Sequence, residues 1–179
     1  VETVDKLEYL MWSRKYDKAY GWQAQREREL GAKFRKNKAL TVKDLSAVVE
    51  WKFKDEPEKL QRVQELVNRN DEEKVQRITS QTLSLPNADD NYRINCLIAL
   101  EGISPVLASV ILTFFDPHKY GIFDRSIWKG LLGNVPLGLY TPQNYVRLLI
   151  SLRKTSKKHD LDARVIDKAL YKKFIDGST

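Results

Sequence analysis

The sequence predicts an all-α protein, and three observations support this. Apolar residues recur at spacings of three and four, the helical period. Helix-start signals punctuate the chain: Thr41 three residues before Asp44, Pro57 at a first turn, Ser104-Pro105 and Thr141-Pro142. Period-two alternation is lacking, and Tyr120-Gly121-Ile122-Phe123, the one strand candidate, is too short to build a sheet.

Over 4–30, Val4, Leu7, Leu10, Met11, Tyr16, Ala19 and Tyr20 predict one long helix or two shorter ones, broken near Gly21 and ending near Gly31. Thr41 caps a helix through Trp51 with Leu45, Val48 and Val49 as its buried stripe. Pro57 opens a helix carrying Leu60, Val63 and Val67, and another over 72–82 carries Val75 and Ile78. Leu85-Pro86-Asn87-Ala88-Asp89-Asp90-Asn91 reads as a loop. Thr141-Pro142 starts a helix with Val146, Leu149 and Ile150, and Arg153 to Lys158 reads as a basic loop. The last helix, about 161–175, puts Leu161, Val165, Ala169 and Leu170 on one face and charges on the other.

The 179 residues, 42% of them hydrophobic, suit one domain (1–179) in a single body or two lobes. The net charge of +7 favours an anionic partner. The lone cysteine, Cys96, rules out an intrachain disulfide and a cysteine-ligated iron–sulfur cluster, and points to an intracellular setting. It lies in an apolar pattern and is expected in the core. His118 and His159 have no ligand-spaced neighbours, so no metal site is expected. The sequence has no long apolar run and no signal-peptide pattern, so no membrane partner is expected. The chain opens on Val1 rather than Met, which leaves room for a preceding segment.

The informative segment is 90–132. Asn91 to Leu100 is amphipathic, with Ile94, Leu97 and Ile98 on one face. Gly102 can take positive φ and end that helix. Ser104 can cap the next helix and Pro105 can start it. That next helix, Val106 to Phe115, is apolar nearly all round and should be central. The result is a helix–hairpin–helix. Its turn, Gly102-Ile103-Ser104, lets the backbone approach a phosphate, with free N–H groups at the second helix aimed at the anion.

Leu100-Glu101-Gly102-Ile103-Ser104-Pro105-Val106-Leu107-Ala108-Ser109 resembles the hairpin of the helix–hairpin–helix base-excision DNA glycosylase superfamily. In that family a Gly- and Pro-containing loop and an essential aspartate follow the hairpin. Here Asp116-Pro117-His118-Lys119-Tyr120-Gly121-Ile122-Phe123 leads to Asp124, 22 residues beyond Gly102, and Arg125 to Leu131 resembles the following helix. The close match covers about 100–132. The resemblance implies a helical DNA-glycosylase-like fold, duplex DNA with a damaged or mismatched base as partner, a monomer, Asp124 as catalytic carboxylate, and Gly102, Ile103 and Ser104 as DNA-backbone contacts. It implies no cofactor beyond a monovalent cation at the hairpin.

Two positions depart from the family. Ser104 stands where the turn usually ends in Gly. Val106 stands where bifunctional members carry a Schiff-base lysine. The resemblance therefore implies a monofunctional enzyme, or one whose lysine sits elsewhere, with Lys119 and Lys129 flanking Asp124 as auxiliary candidates.

A carboxylate beside the anomeric carbon stabilises the positive charge that develops on the sugar, or orients a water, once the nucleotide is flipped from the stack. Asp124 could equally cap the helix at Arg125. Trp12, Tyr16, Tyr20 and Trp22, interleaved with Arg14, Lys15, Lys18 and Arg26, suit either base stacking or a core-facing stripe. Trp51 reads as core, and the pair Trp51-Lys52 could line a cleft. Two other functions fit the same residues: a non-catalytic DNA-binding module, and a basic helical adaptor for protein.

Overall fold

The computed structural model describes residues 5–86 and 88–177. Val4 and Asn87, assigned above to the first helix and to a loop, lie outside them. The described residues form ten α-helices and no strand.

The helices begin where the cap chemistry places them. Helix α1 (Lys6–Ala19) starts at Asp5, whose carboxylate accepts the Glu8 amide at 2.8 Å. Helix α3 (Val42–Phe53) has a full capping box: Thr41 Oγ1 accepts the Asp44 amide and Asp44 accepts the Thr41 amide. Helix α4 (Pro57–Val67) has Pro57 in its first turn, and α5 (Glu72–Ser84) is capped by Asp71. Helix α6 (Asp90–Ile98), capped by Asp89, leads through the hairpin turn to α7 (Pro105–Phe115). Then come α8 (Arg125–Leu132), α9 (Pro142–His159) and α10 (Ala163–Gly177).

Four sequence expectations change. The N-terminal segment breaks at Tyr20, but its second half, α2 (Gly21–Asn37), runs through Gly31 and ends at Lys38 in the left-handed region. Gly31 is a packing residue: a Cβ there would sit 2.7 Å from the Phe114 carbonyl of α7. Arg153 to Lys158 is helical, forming the last turns of α9, where cations favour the negative end of the helix dipole. The loop at 85–91 is shorter, because Asp90 already begins α6. Cys96 is half-buried rather than core.

Helix α7 is the axis of the molecule. Leu107 through Phe114 are all buried, and α2, α3, α6 and α9 pack around it. Its Phe114 meets Trp51 of α3 edge-on at 5.0 Å. One contiguous core draws on all ten helices, from Tyr9 in α1 to Leu170 in α10. Helix α1 lies along α10. This pairing brings N-terminal tyrosines and C-terminal ions to one place. Among the described residues no helix is long and apolar enough to cross a membrane.

Candidate active site

The hairpin turn is built as the sequence predicts. Gly102 has φ +79°, where an L side chain is strained. A Cβ on it would also lie 2.9 Å from Val67 Cγ2 and 3.1 Å from Leu66 Cβ. Ile103 is buried and anchors the turn, while Ser104 is exposed and caps α7 through the Leu107 amide at 3.3 Å. Asn70, from the α4–α5 connection, braces the turn from behind. Its amide group donates to the Glu101 carbonyl and accepts from the Glu101 N–H, both at 2.9 Å. The amides of Gly102, Ser104 and Val106 have no protein acceptor among the described residues. A monovalent cation here would be held by backbone oxygens. Those of Leu100 and Glu101 already accept protein donors, and those of Gly102 and Ile103 accept none among the described residues. Among the described residues no group of three or more His, Cys, Asp or Glu could hold a metal.

Asp124 is reached through an extended segment fixed residue by residue. The Gly121 carbonyl accepts the Tyr145 hydroxyl at 2.8 Å. Gly121 is also pressed so closely on Leu152 that a Cβ would fall 2.6 Å from it. The Ile122 amide donates to Asp167 at 2.6 Å, and the Phe123 amide to Ser109 Oγ of α7 at 2.8 Å. Asp124 then caps α8. Its Oδ1 accepts the Ser126 amide at 2.9 Å and the Ser126 hydroxyl at 2.5 Å. The cap occupies Oδ1, and Oδ2 faces Lys52 Nζ at 3.8 Å.

These two side chains open onto a cavity of about 340 Å³. That lies near the lower end of the roughly 300–1,000 Å³ usual for small-ligand pockets. Its wall is aromatic. Tyr16 and Tyr20 stand with ring centroids 4.8 Å apart, and Tyr171 of α10 meets both edge-on. Trp51, its indole N–H bound to the Gln23 carbonyl, completes that wall. At the rim Asp55 and Glu56 are paired with Lys54 and Lys59.

Below the aromatics lies a buried ionic cluster. Arg164 donates to both Glu27 oxygens at 2.9 Å, to Asp167 at 2.6 Å and to the Tyr16 hydroxyl at 3.3 Å. Burial pushes the Asp167 carboxyl up, beyond what Arg164 and the Ile122 amide restore. Burial acts the same way on Glu27, but there Arg164 outweighs it and holds the carboxyl below its ordinary range. Desolvation pulls the Lys52 amine down, with Asp124 and Asp167 only partly offsetting it. Burial pushes the Tyr16 hydroxyl up to about 12, so it stays neutral while it accepts from Arg164.

Not every predicted site residue gathers here. Asp124 lines the pocket; Lys119 and Lys129 do not. Lys119 is exposed and pairs with Asp116, and Lys129 is exposed beside the Phe174 ring. The lysine at Asp124 is Lys52, brought from α3, 72 positions earlier in the chain. Tyr16 and Tyr20 enter the wall, whereas Trp22 is exposed with Lys54 over its ring. Arg164, Asp167 and Tyr171 carried no site signal in the sequence beyond a charged helix face. Comparison with protein-family models, with curated proteins and with solved structures gave no match.

Proposed function

We propose that the protein is a DNA glycosylase that flips a damaged or mismatched nucleotide from duplex DNA and cleaves its N-glycosidic bond at Asp124. One observation carries the reading. A carboxylate oxygen, Asp124 Oδ2, faces an aromatic-walled pocket while its partner oxygen is locked by Ser126. A fixed carboxylate does not reorganise as charge develops on the sugar, which is what electrostatic stabilisation requires. The tyrosine wall offers π-faces to an extruded base. The braced hairpin, with amides at the positive end of α7 that have no acceptor among the described residues, suits a phosphate, a contact that would position the duplex without reading its sequence. The net charge of +7 favours the same partner.

The test is base release from duplex oligonucleotides carrying oxidised, alkylated, deaminated or mismatched bases, with wild type and Asp124→Asn. The expected result is release by the wild type on at least one lesion and loss of release in the variant, with DNA binding kept. Equal release by the variant sinks the role of Asp124. Binding without release on any lesion replaces the reading with a non-catalytic DNA-binding module. Failure to bind duplex DNA at low salt replaces it with a protein adaptor.

A further inference from the structure

We propose that Lys52 is the amine that forms a covalent imine with C1′ of the extruded deoxyribose, so that the pocket couples base release to opening of the sugar ring. The proposal rests on the glycosylase reading and supplies the nucleophile that Val106 does not.

The geometry is particular to Lys52. Buried Trp51 and Phe53 flank it on α3 and hold the helix in place, so its side chain enters the pocket from a rigid element. Only 22% of that side chain reaches solvent, yet Nζ donates no hydrogen bond to any described residue and has one ion pair, at 3.8 Å to Asp124. Lys168, the other lysine near the ionic cluster, is bound to Asp17 at 2.8 Å and lies 3.8 Å from Glu27. Lys52 is thus a desolvated amine without hydrogen bonds, beside the carboxylate that would receive its proton. Desolvation lowers the amine's pKa and enlarges its neutral, nucleophilic fraction. A neutral amine also leaves the Asp124 charge available for the cationic sugar, whereas an ammonium would cancel it.

The step balances as follows. The Lys52 Nζ lone pair forms a bond to C1′ and the C1′–N glycosidic bond breaks. Its electron pair leaves with the base, which takes a proton from water. The new ammonium passes a proton to Asp124 Oδ2. The remaining nitrogen lone pair forms C1′=N as C1′–O4′ breaks, and O4′ takes that proton from Asp124. The product is a ring-opened iminium. With an abasic site the amine adds to the C1′ aldehyde and loses water to reach the same iminium, which borohydride reduces to a stable amine.

The experiment uses duplex DNA with a preformed abasic site and sodium borohydride, and so does not depend on which base the protein removes. The wild type is expected to give a covalent protein–DNA adduct that peptide mapping places on Lys52. Lys52→Gln is expected to lower trapping by about 100-fold or more. The trapping rate is expected to rise with pH in the wild type and to lose that dependence in the variant. An adduct mapped to another amine, trapping no better than serum albumin, or undiminished trapping by Lys52→Gln overturns the proposal. Mapping the wild-type adduct decides the matter even if the variant fails to fold. Trapping on Lys52 with no release from any lesion leaves this assignment standing and fells the glycosylase reading; release without trapping does the reverse.

Discussion

The Asp167 carboxylate of α10 accepts the Ile122 amide at 2.6 Å, two residues before Asp124. The other oxygen of Asp167 holds Arg164, which reaches Glu27 in α2. One buried carboxylate thus ties α10 and α2 to the segment that aims Asp124. Asp167→Ala removes the acceptor from a buried amide and strips Arg164 of one partner. Loss of a buried partner of this kind costs about 3–5 kcal/mol. Urea unfolding of the variant is expected to show a fall of that size, with the melted fraction rising at 37 °C. A change below about 0.5 kcal/mol would mean the cluster is not a keystone.

Asp124 caps α8 through one oxygen and faces the pocket with the other, and two substitutions separate the cap from the charge. Asparagine keeps an oxygen for the Ser126 amide, so Asp124→Asn is expected to hold stability within a few tenths of a kcal/mol. Alanine loses the cap and is expected to cost about 0.5–2 kcal/mol. Thermal melts of the two variants check this. If both destabilise equally, the loss of base release in Asp124→Asn would be a folding defect rather than a chemical one.

Gly102→Ala meets both a positive φ and a wall. The new methyl would press on Val67 and Leu66, the last two residues of α4. Strain of this kind costs of order 1–3 kcal/mol. The hairpin should also be displaced, so affinity for undamaged duplex DNA is expected to fall while abasic-site chemistry at saturating DNA is kept. Unchanged affinity measured by fluorescence anisotropy would remove the hairpin from the DNA interface.

Asp90 gives the fold an acid-sensitive joint. It pairs through both oxygens with Arg153 of α9 and accepts the Tyr120 hydroxyl at 2.9 Å. Burial works against its charge, but Arg153 and Tyr120 outweigh burial and hold the carboxyl below its usual range. A carboxyl lowered by folding stabilises above the unfolded value of about 4 and loses that contribution as pH falls through the folded value. Arg153 is partly exposed, so the pair is worth about 1 kcal/mol. Wild type is expected to lose stability below about pH 4 more steeply than Asp90→Asn. Parallel melting curves for the two proteins would count against the pair.

Cap and turn chemistry was readable because it is local. Thr41, Pro57, Ser104-Pro105 and Thr141-Pro142 each act within four residues, and the helices start where they stand. Gly102 was readable for the same reason. Gly31 was misread as a terminator because its purpose, a close approach to Phe114, lies on another helix. The run Arg153 to Lys158 was misread as a loop because its charges suggested solvent, although a helix C-terminus favours them equally. Lys52 was visible only with Trp51, as a pair that could line a cleft, and both do line the pocket. Nothing local distinguishes a lysine that turns into a pocket from one that turns to water. Arg164 and Asp167 were hidden in the same way: they read as a charged face, and only the packing of α10 against α1, α8 and α9, with Glu27 of α2 closing on Arg164, buries them.

Tyr16 and Arg164 touch across 148 residues of sequence. The order of synthesis follows from that distance. At about 5–20 residues per second, the hairpin, α7 and Asp124 emerge from the ribosome several seconds before α10. Until α10 docks, Glu27 lacks its guanidinium and the Ile122 amide lacks its carboxylate. A nascent chain at that stage would hold the hairpin and Asp124 without a finished pocket. The pocket is complete only once α10 has been made and has docked.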